Sequence, residues 1–392
     1  MAIDPTHFHA NWPFPTAVRF GPGRISELGK VCARSGIRNP LVVTDAGLAG
    51  SSIISSAMEI LSDADLTPTL FSDVKSNPTA GNVASGTAAY RQGNCDGIVA
   101  IGGGSAMDAA KAIALQSGHE APALDYVVGG PRYREINAAG IAPIVAVPTT
   151  AGTGSEMGYA AVISDDQAEA KRILYHANLL ARTVICDPEL TLGLPANLTA
   201  WTGMDAAVHC IEAYCANMYN PMCDGIAAEG MRLIAAWLPR AVADGNDLEA
   251  RTNMMAAAAM GAVAFNKGLG AVHAISHAIG AAKDSHHGLT NAVVLPYVLS
   301  HNRDAIADKC GTLARCMGLP GADFAALMDW SLSIRESFGI PHAVGALGVE
   351  DQDLDALAAT AAADVTAREN PIAVDAQALR GILDKALAGT AG

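Results

Sequence analysis

Four short β-branched runs in the first half of the chain are apolar apart from a terminal threonine in two of them: Leu41 to Thr44, Gly97 to Ile101, Ile144 to Val147 and Thr183 to Cys186. A strand with one wet face alternates apolar and polar residues. A strand that is apolar throughout must be covered on both faces, as in a parallel sheet layered between helices. Helical patterns fill the intervals, which gives parallel strands the long crossovers they need. The first half therefore reads as an α/β nucleotide-binding unit built on a parallel sheet. After Asp187-Pro188 the composition changes. Ala, Leu and Met dominate from Leu198 to Ala388, broken by turn residues such as Pro320, Gly321 and Pro341, and this half reads as all helix. Two prolines and short polar breaks place the boundary near residues 188–197, giving expected domains of 1–190 and 191–392.

With 392 residues, 51% of them hydrophobic, the chain can bury two cores. A net charge of −14, with no cluster of Lys and Arg interleaved with aromatics, argues against a nucleic-acid partner. The longest apolar run, Met254 to Phe265, falls short of the roughly 20 residues a spanning helix requires, so no membrane segment is expected. Residues Met1 to Thr16 lack the basic flank and apolar stretch of a secretory signal, which points to a cytoplasmic location. The eight cysteines contain no C-x-x-C pair and read as reduced thiols.

Two loops follow strands. Gly102-Gly103-Gly104-Ser105 leads from the second apolar run into a helical pattern that carries Asp108 and Lys111. Three glycines let main-chain N–H groups approach a pyrophosphate, and the first helical turn adds partial positive charge. The triplet alone fits a bare strand-to-helix turn equally well, and it is not the G-x-G-x-x-G fingerprint. The second loop, Pro148 to Glu156, presents Thr149, Thr150, Thr153 and Ser155 around mobile glycine backbone. Both lie at carboxyl ends of strands, where open α/β sheets bind ligands. Asp45, closing the first strand, can accept hydrogen bonds from ribose hydroxyls and would repel a 2′-phosphate, which favours NAD over NADP.

In the helical half, Asp205 and His209 stand four residues apart and share a helix face; His273 and His277 repeat the spacing, and His286-His287-Gly288 follows. Five of the eleven histidines fall between Val208 and Gly288. Burying imidazoles and a carboxylate among Ala, Val and Ile without a shared partner is costly. A set of nitrogens and one carboxylate oxygen suits Fe(II) or Zn(II) with an exchangeable position.

Taken in order, Phe20-Gly21-Pro22-Gly23, Asn77-Pro78-Thr79, the G-G-G-S-x-x-D-x-x-K loop, Pro148 to Glu156, Asp187-Pro188, the Asp205/His209 pair and G-L-G-x-x-H-x-x-x-H from Gly268 to His277, with His287-Gly288 beyond, resemble the iron-dependent (group III) alcohol dehydrogenase family. That family includes lactaldehyde reductase and 1,3-propanediol dehydrogenase types. The resemblance spans nearly the whole chain. It implies a dehydroquinate synthase-like two-domain fold, an α/β NAD-binding domain followed by a helical one, with cofactor and metal in a cleft between them. It implies a metal-dependent oxidoreductase that transfers a hydride between NAD(H) and a small primary alcohol or aldehyde. By position, Asp205, His209, His273 and His287 correspond to the ligands of Fe2+ or Zn2+, and His277 to a proton-relay histidine; His286 is left out because the family's ligand directly precedes a glycine. Asp45, Asn77, Gly102, Gly103, Gly104, Ser105, Asp108, Thr149, Thr150, Thr153 and Lys171 fall where the family contacts NAD. A homodimer is expected, since dimers are the commonest oligomers and many relatives assemble.

Two departures stand out. Leu179 to Thr183 lacks a proline common in the family before its D-P element. Lys267, just before His273, replaces a small neutral residue; it reads either as a solvated lysine at a helix bend or as the partner of a substrate carboxylate, the latter pointing to a semialdehyde or hydroxy acid. A dehydroquinate synthase-like lyase would share the same plan.

Overall fold

The computed structural model describes residues 16–165, 168 and 170–390, so the reading of the N-terminal residues as lacking a secretory signal lies outside the described residues. The chain divides into two compact units. Among the described residues, one comprises 16–150 with 154–192, the other Ala151–Thr153 with 193–390.

The first unit runs β1 (Ala17–Phe20), α1 (Leu28–Arg34), β2 (Pro40–Val43), α2 (Ser52–Asp63), β3 (Thr69–Phe71), α3 (Ala80–Gln92), β4 (Gly97–Gly102), α4 (Gly104–Ser117), β5 (Ile144–Pro148), β6 (Ala160–Asp165), β7 (Ala170–Tyr175) and β8 (Thr183–Cys186). Six strands form one sheet in the order β1-β8-β5-β4-β2-β3, every pair parallel. Every residue of β2, β4 and β5 is buried, which is the covered-on-both-faces state their apolar runs require. Val42, Val99, Ile101, Val145, Val147 and Ile185 pack with Leu28, Val31, Ile54 and Leu61 of α1 and α2 into one core. The helices start where the sequence supplies caps: Ser51 accepts the Ile54 N–H, and Thr79 and Asn82 cap α3 reciprocally.

From β2 the chain moves outward to β3, then crosses back over β2 to β4 and onward to β5. Strand order thus reverses between β2 and β4, and a crevice opens at such a reversal beyond the carboxyl ends. The loop carrying Asp45 leaves β2 there, and Gly102 at the end of β4 is in register with Pro148 at the end of β5. The strands β1 and β3 and the antiparallel hairpin β6–β7 were not among the sequence expectations. Both β1 and β3 are edge strands of only a few residues, and in the hairpin only Ala161, Ile163 and Leu174 are buried, within an Ala-rich, charged stretch.

The second unit holds α5 (Ala196–Cys215), α6 (Pro221–Ala243), α7 (Leu248–Ala264), α8 (Ala271–Lys283), α9 (His287–Met317), α10 (Phe324–Ser337), α11 (Leu354–Ala363) and α12 (Ala376–Ala388), with no strand among its described residues. Pro221 opens α6 at a position where its missing N–H costs nothing. Met254 to Phe265 lies in and just after α7, and no single described helix is long and apolar enough to cross a membrane. All eight cysteines are unpaired, and six are buried.

Candidate metal centre and cofactor loops

Three helices of the second unit bring the titratable residues together. From α5 come Asp205 and His209, from α8 His273 and His277, and from α9 His287, its first residue. Ligand atoms of Asp205, His273 and His287 lie within 4.8 Å of one another. From Asp205 Oδ1 the distances are 3.4 Å to His287 Nε2 and 3.9 Å to His273 Nε2. His209 Nε2 is also 3.9 Å from Asp205 Oδ1, and its ring stacks on His273 at 4.7 Å, but His209 falls outside the three-residue group. Its Nδ1 is buried with no hydrogen-bond partner. Asp205, His209 and His273 are buried and His287 half-buried.

Burial depresses the basicity of His209 despite the pull of Asp205. For His273, burial together with the neighbouring His209, His287 and His277 pushes the value well below the ordinary range. Imidazole nitrogens beside a carboxylate, with burial holding His209 and His273 toward the neutral form, make a donor set that fits a borderline divalent cation. Asn291 Nδ2 donates to Asp205 Oδ1 at 2.7 Å and lies 3.1 Å from His287 Nε2 and 3.3 Å from His273 Nε2.

The outer nitrogens are held as well. His273 Nδ1 is 2.6 Å from Glu212 Oε2, and His287 Nδ1 is 3.1 Å from Ser276 Oγ. Burial pushes the Glu212 carboxyl up, and the N–H groups of Val272, Gly270 and His273 pull it back toward the ionised, accepting form. His277 Nδ1 meets Asp364 Oδ2 at 2.9 Å, and Asp364 Oδ1 accepts from the Thr366 N–H and hydroxyl. Burial alone would raise Asp364, but His277 and the Thr366 donors bring it below the ordinary carboxylate value. His286 serves instead as the N-cap of α9, accepting from Leu289 N–H, with its ring against Trp201.

Glu212, Asn291, Ser276 and Asp364 were not singled out from the sequence. Glu212 lies one turn beyond His209 on α5, and Asn291 one turn beyond His287 on α9, so helical spacing from a suspected ligand was the available signal. Asp364 lies 87 residues from His277 and carries no local sign of the pairing.

In the α/β unit Asp45, Gly102 to Ser105, Thr149 and Thr150 stand at or just beyond the carboxyl ends of β2, β4 and β5. Asp45 Oδ1 accepts the Leu48 N–H at 3.1 Å. Gly102 has φ +151°, and a Cβ there would meet Ala106 Cβ at 2.7 Å and Asp45 Oδ2 at 3.4 Å. Gly103, the N-cap of α4, has no side-chain cap and stands beside Thr150, whose Oγ1 would lie 3.4 Å from a Cβ. The first N–H groups of α4, from Gly104 and Ser105 onward, are thereby left to a ligand or solvent. The Thr149 N–H donates to the Gly102 carbonyl, tying the two loops together. Ser105 Oγ donates to the Ser76 carbonyl, and Lys171 Nζ donates to Asn77 Oδ1. Asp108 braces the second loop: its oxygens accept from Ser155 Oγ at 2.6 Å and from the Val162 N–H at 2.9 Å. Lys111 is buried nearby and donates to the Ser155 carbonyl, Ser155 Oγ and the Ala160 carbonyl. Thr153 is half-buried and groups with the helical unit.

Both expectations for Lys267 are corrected. It is 2% exposed, so it is not a solvated lysine, and its ammonium pairs with Asp224 and donates to the Tyr214 carbonyl at 3.0 Å. With an anion of its own chain already bound, it does not present a charge for a substrate carboxylate. Lys309 donates to the carbonyls of Cys215 and Ala216, so the two lysines together cap the carboxyl end of α5, where positive charge is favoured.

Comparison with known proteins places this arrangement among relatives. Residues 15–188 match the family model for iron-containing alcohol dehydrogenase, and 199–387 match the model for the C-terminal part of the Fe-containing alcohol dehydrogenase family. The 4-hydroxybutyrate dehydrogenase of Cupriavidus necator is 40% identical over 97% of this chain and 98% of its own. The NAD-dependent methanol dehydrogenase of Bacillus methanolicus is 36% identical over 96% of this chain and 100% of its own. A crystal structure of 1,3-propanediol oxidoreductase superposes with a TM-score of 0.90 at 35% identity, covering 97% of this chain and 100% of that one.

Proposed function

The chain belongs to the iron-containing alcohol dehydrogenase family, and we propose that it moves a hydride between NAD(H) and a small primary alcohol or aldehyde at a divalent cation held by Asp205, His209, His273 and His287. The observation that carries this reading is the gathering of a carboxylate and imidazole nitrogens within 4.8 Å, inside a helical unit otherwise packed with Ala, Val and Ile. When bound, the cation supplies Lewis-acid polarisation of the substrate oxygen, and NAD(H) supplies or accepts the hydride.

The chain's own residues do the rest. Burial keeps the imidazoles neutral and so available as donors, while Asp205 contributes the negative charge. His277 takes the proton that alcohol oxidation releases: Asp364 holds its Nδ1 and steadies the imidazolium, leaving Nε2 as the nitrogen that exchanges the proton. On the cofactor side, the start of α4 at Gly103, Gly104 and Ser105 offers main-chain N–H groups and helix-end charge to the pyrophosphate. Gly102 allows close approach, and Asp45 takes the ribose hydroxyls. Thr149, Thr150, Thr153, Asn77 and Lys171 supply hydrogen bonds to the remainder, and Asp108 acts through Ser155. The proposed domains are 1–190 for NAD and 191–392 for metal and substrate. We propose a homodimer in the cytoplasm; the net charge of −14 argues against a nucleic-acid partner.

A second reading, oxidation of a short hydroxy acid, is favoured by the similarity to a 4-hydroxybutyrate dehydrogenase. With Lys267 committed to Asp224, such a substrate needs another group for its carboxylate.

An NADH-linked screen of small alcohols, hydroxy acids, aldehydes and semialdehydes, run after loading with Fe(II) or Zn(II), tests the proposal. Steady turnover lost in Asp205→Ala, together with its metal, is the expected result. No turnover of any of them with either ion would refute the proposal, and a dehydroquinate synthase-like lyase, which recycles NAD internally, would give no steady NADH.

A further inference from the structure

The helix that carries His273 and His277 begins without a cap of its own. Gly270, at the N-cap of α8, has no side chain to offer the first N–H groups. Those groups are satisfied from elsewhere in the unit: Glu212 Oε1 accepts the Val272 N–H at 2.7 Å, and Asn370 Oδ1 accepts the Ala271 N–H at 3.1 Å. Asn370 is itself fixed by a reciprocal amide pair with Asn302 of α9, at 3.0 and 2.9 Å. The fit leaves no room for a larger residue, because a Cβ on Gly270 would stand 2.9 Å from both Glu212 Oε1 and Asn370 Oδ1. The second oxygen of Glu212 reaches the imidazole that follows, with Oε2 2.6 Å from His273 Nδ1.

The hydrogen-bond polarity of the cluster can be read through from Asp205. An ionised carboxylate only accepts, so the group of Asn291 at 2.7 Å from Asp205 Oδ1 is its NH2. That NH2 also lies 3.1 Å from His287 Nε2 and 3.3 Å from His273 Nε2, and a ring proton on His273 Nε2 would set a donor against the amide NH2. The proton is then on Nδ1, donated to Glu212. A proton on Glu212 Oε2 directed at the ring would drive the imidazole to its other tautomer and set two donors against each other at Asn291.

We infer that Glu212 is a positioning residue that holds His273 in the Nδ1–H tautomer, so that Nε2 presents its lone pair to the cation, while the same carboxylate anchors the helix bearing His273 and His277. The inference rests on the proposed metal site. Groups that hold the outer nitrogen of a ligating histidine fix its tautomer and ring orientation in this way.

Glu212→Gln tests it at constant shape. A carboxamide has one acceptor oxygen, so it cannot accept from both Val272 and His273; with its oxygen on the Val272 N–H, its NH2 faces His273 Nδ1 and moves the ring proton to Nε2. Affinity for Zn(II) or Fe(II), measured by competition against a chromophoric chelator, is expected to fall about 10- to 100-fold. Asn302→Ala loosens the same cap without touching the imidazole, and is expected to lower the melting temperature with a smaller loss of affinity. Neutron diffraction from metal-free wild-type crystals locates the His273 proton directly, even if the glutamine variant does not fold. A proton on Nδ1 supports the inference, and one on Nε2 overturns it. Unchanged metal affinity in Glu212→Gln overturns the inference alone, whereas wild-type protein that binds neither ion overturns the metal site and the inference with it.

Discussion

Replacing Gly288 by alanine should separate the helices that hold the metal-binding residues, by an amount that can be worked out from the structure. Gly288 directly follows His287 at the start of α9 and lies against the main chain of α5. A Cβ there would stand 2.3 Å from the Trp201 carbonyl oxygen, 2.9 Å from its carbon and 3.2 Å from Asp205 Cβ. Cβ contacts under 3.0 Å essentially never occur, and the obstacle here is backbone, so the two helices must part by about 0.7 Å. The overpacking costs about 1–3 kcal/mol of stability. The consequence for the site is larger, because metal sites tolerate deviations of about 0.2 Å in ligand distance. The displacement falls on His287 and Asp205, whose ligand atoms are 3.4 Å apart. Metal content after gel filtration and kcat under saturating Zn(II) are the measurements, with a fall in turnover of about 100-fold expected for a misplacement approaching 1 Å. Gly225→Ala, in α6 with nothing within 4 Å of the new Cβ, is the control and should change neither. Gly288→Ala protein with wild-type melting temperature, metal content and turnover would refute the reasoning.

Burial holds Glu156 at about 7 against an ordinary 4.5, so the folded chain binds this proton more tightly than the unfolded one, and stability should fall as pH rises through that interval. Urea unfolding at pH 5 and pH 8 should show wild type losing about 2–3 kcal/mol more stability than Glu156→Gln; equal losses would mean the carboxyl is not held protonated. His277→Ala should lower kcat by about 100- to 10,000-fold while metal content stays at the wild-type level, and loss of the metal would make His277 a ligand and not a proton carrier. Lys267→Met should lower stability by about 1–3 kcal/mol through loss of the α5 cap, leaving the ratio of KM values for a semialdehyde and the corresponding plain aldehyde unchanged; a selective rise in the semialdehyde KM would restore the substrate role for Lys267.

How much was legible in advance follows from the range over which each signal acts. Apolar runs such as Ile144 to Val147 announce a parallel sheet because burial on both faces is written into consecutive residues. The edge strands β1 and β3 and the β6–β7 hairpin have no such run, and what makes them strands is a neighbour distant in sequence. Asp205, His209, His273 and His287 stood out by residue type and helical spacing, and so did the glycine loops after β4 and β5. Their second layer did not. Glu212, Asn291 and Asp364 are acidic or amide residues like many others in the chain until packing sets them 2.6 to 3.3 Å from a histidine.

Lys267 shows where reading in one dimension stops. Beside a histidine in sequence, a cation suggests a substrate anion; in space its nearest anion is Asp224, 43 residues away. Local order along the chain fixed the inner strands, the helices and the ligand types, because those depend on neighbours a turn or a pleat apart. Which nitrogen faces inward, which carboxylate holds it and which charge is already neutralised were decided only by tertiary packing, since hydrogen-bond direction and burial are properties of atoms brought together from distant segments.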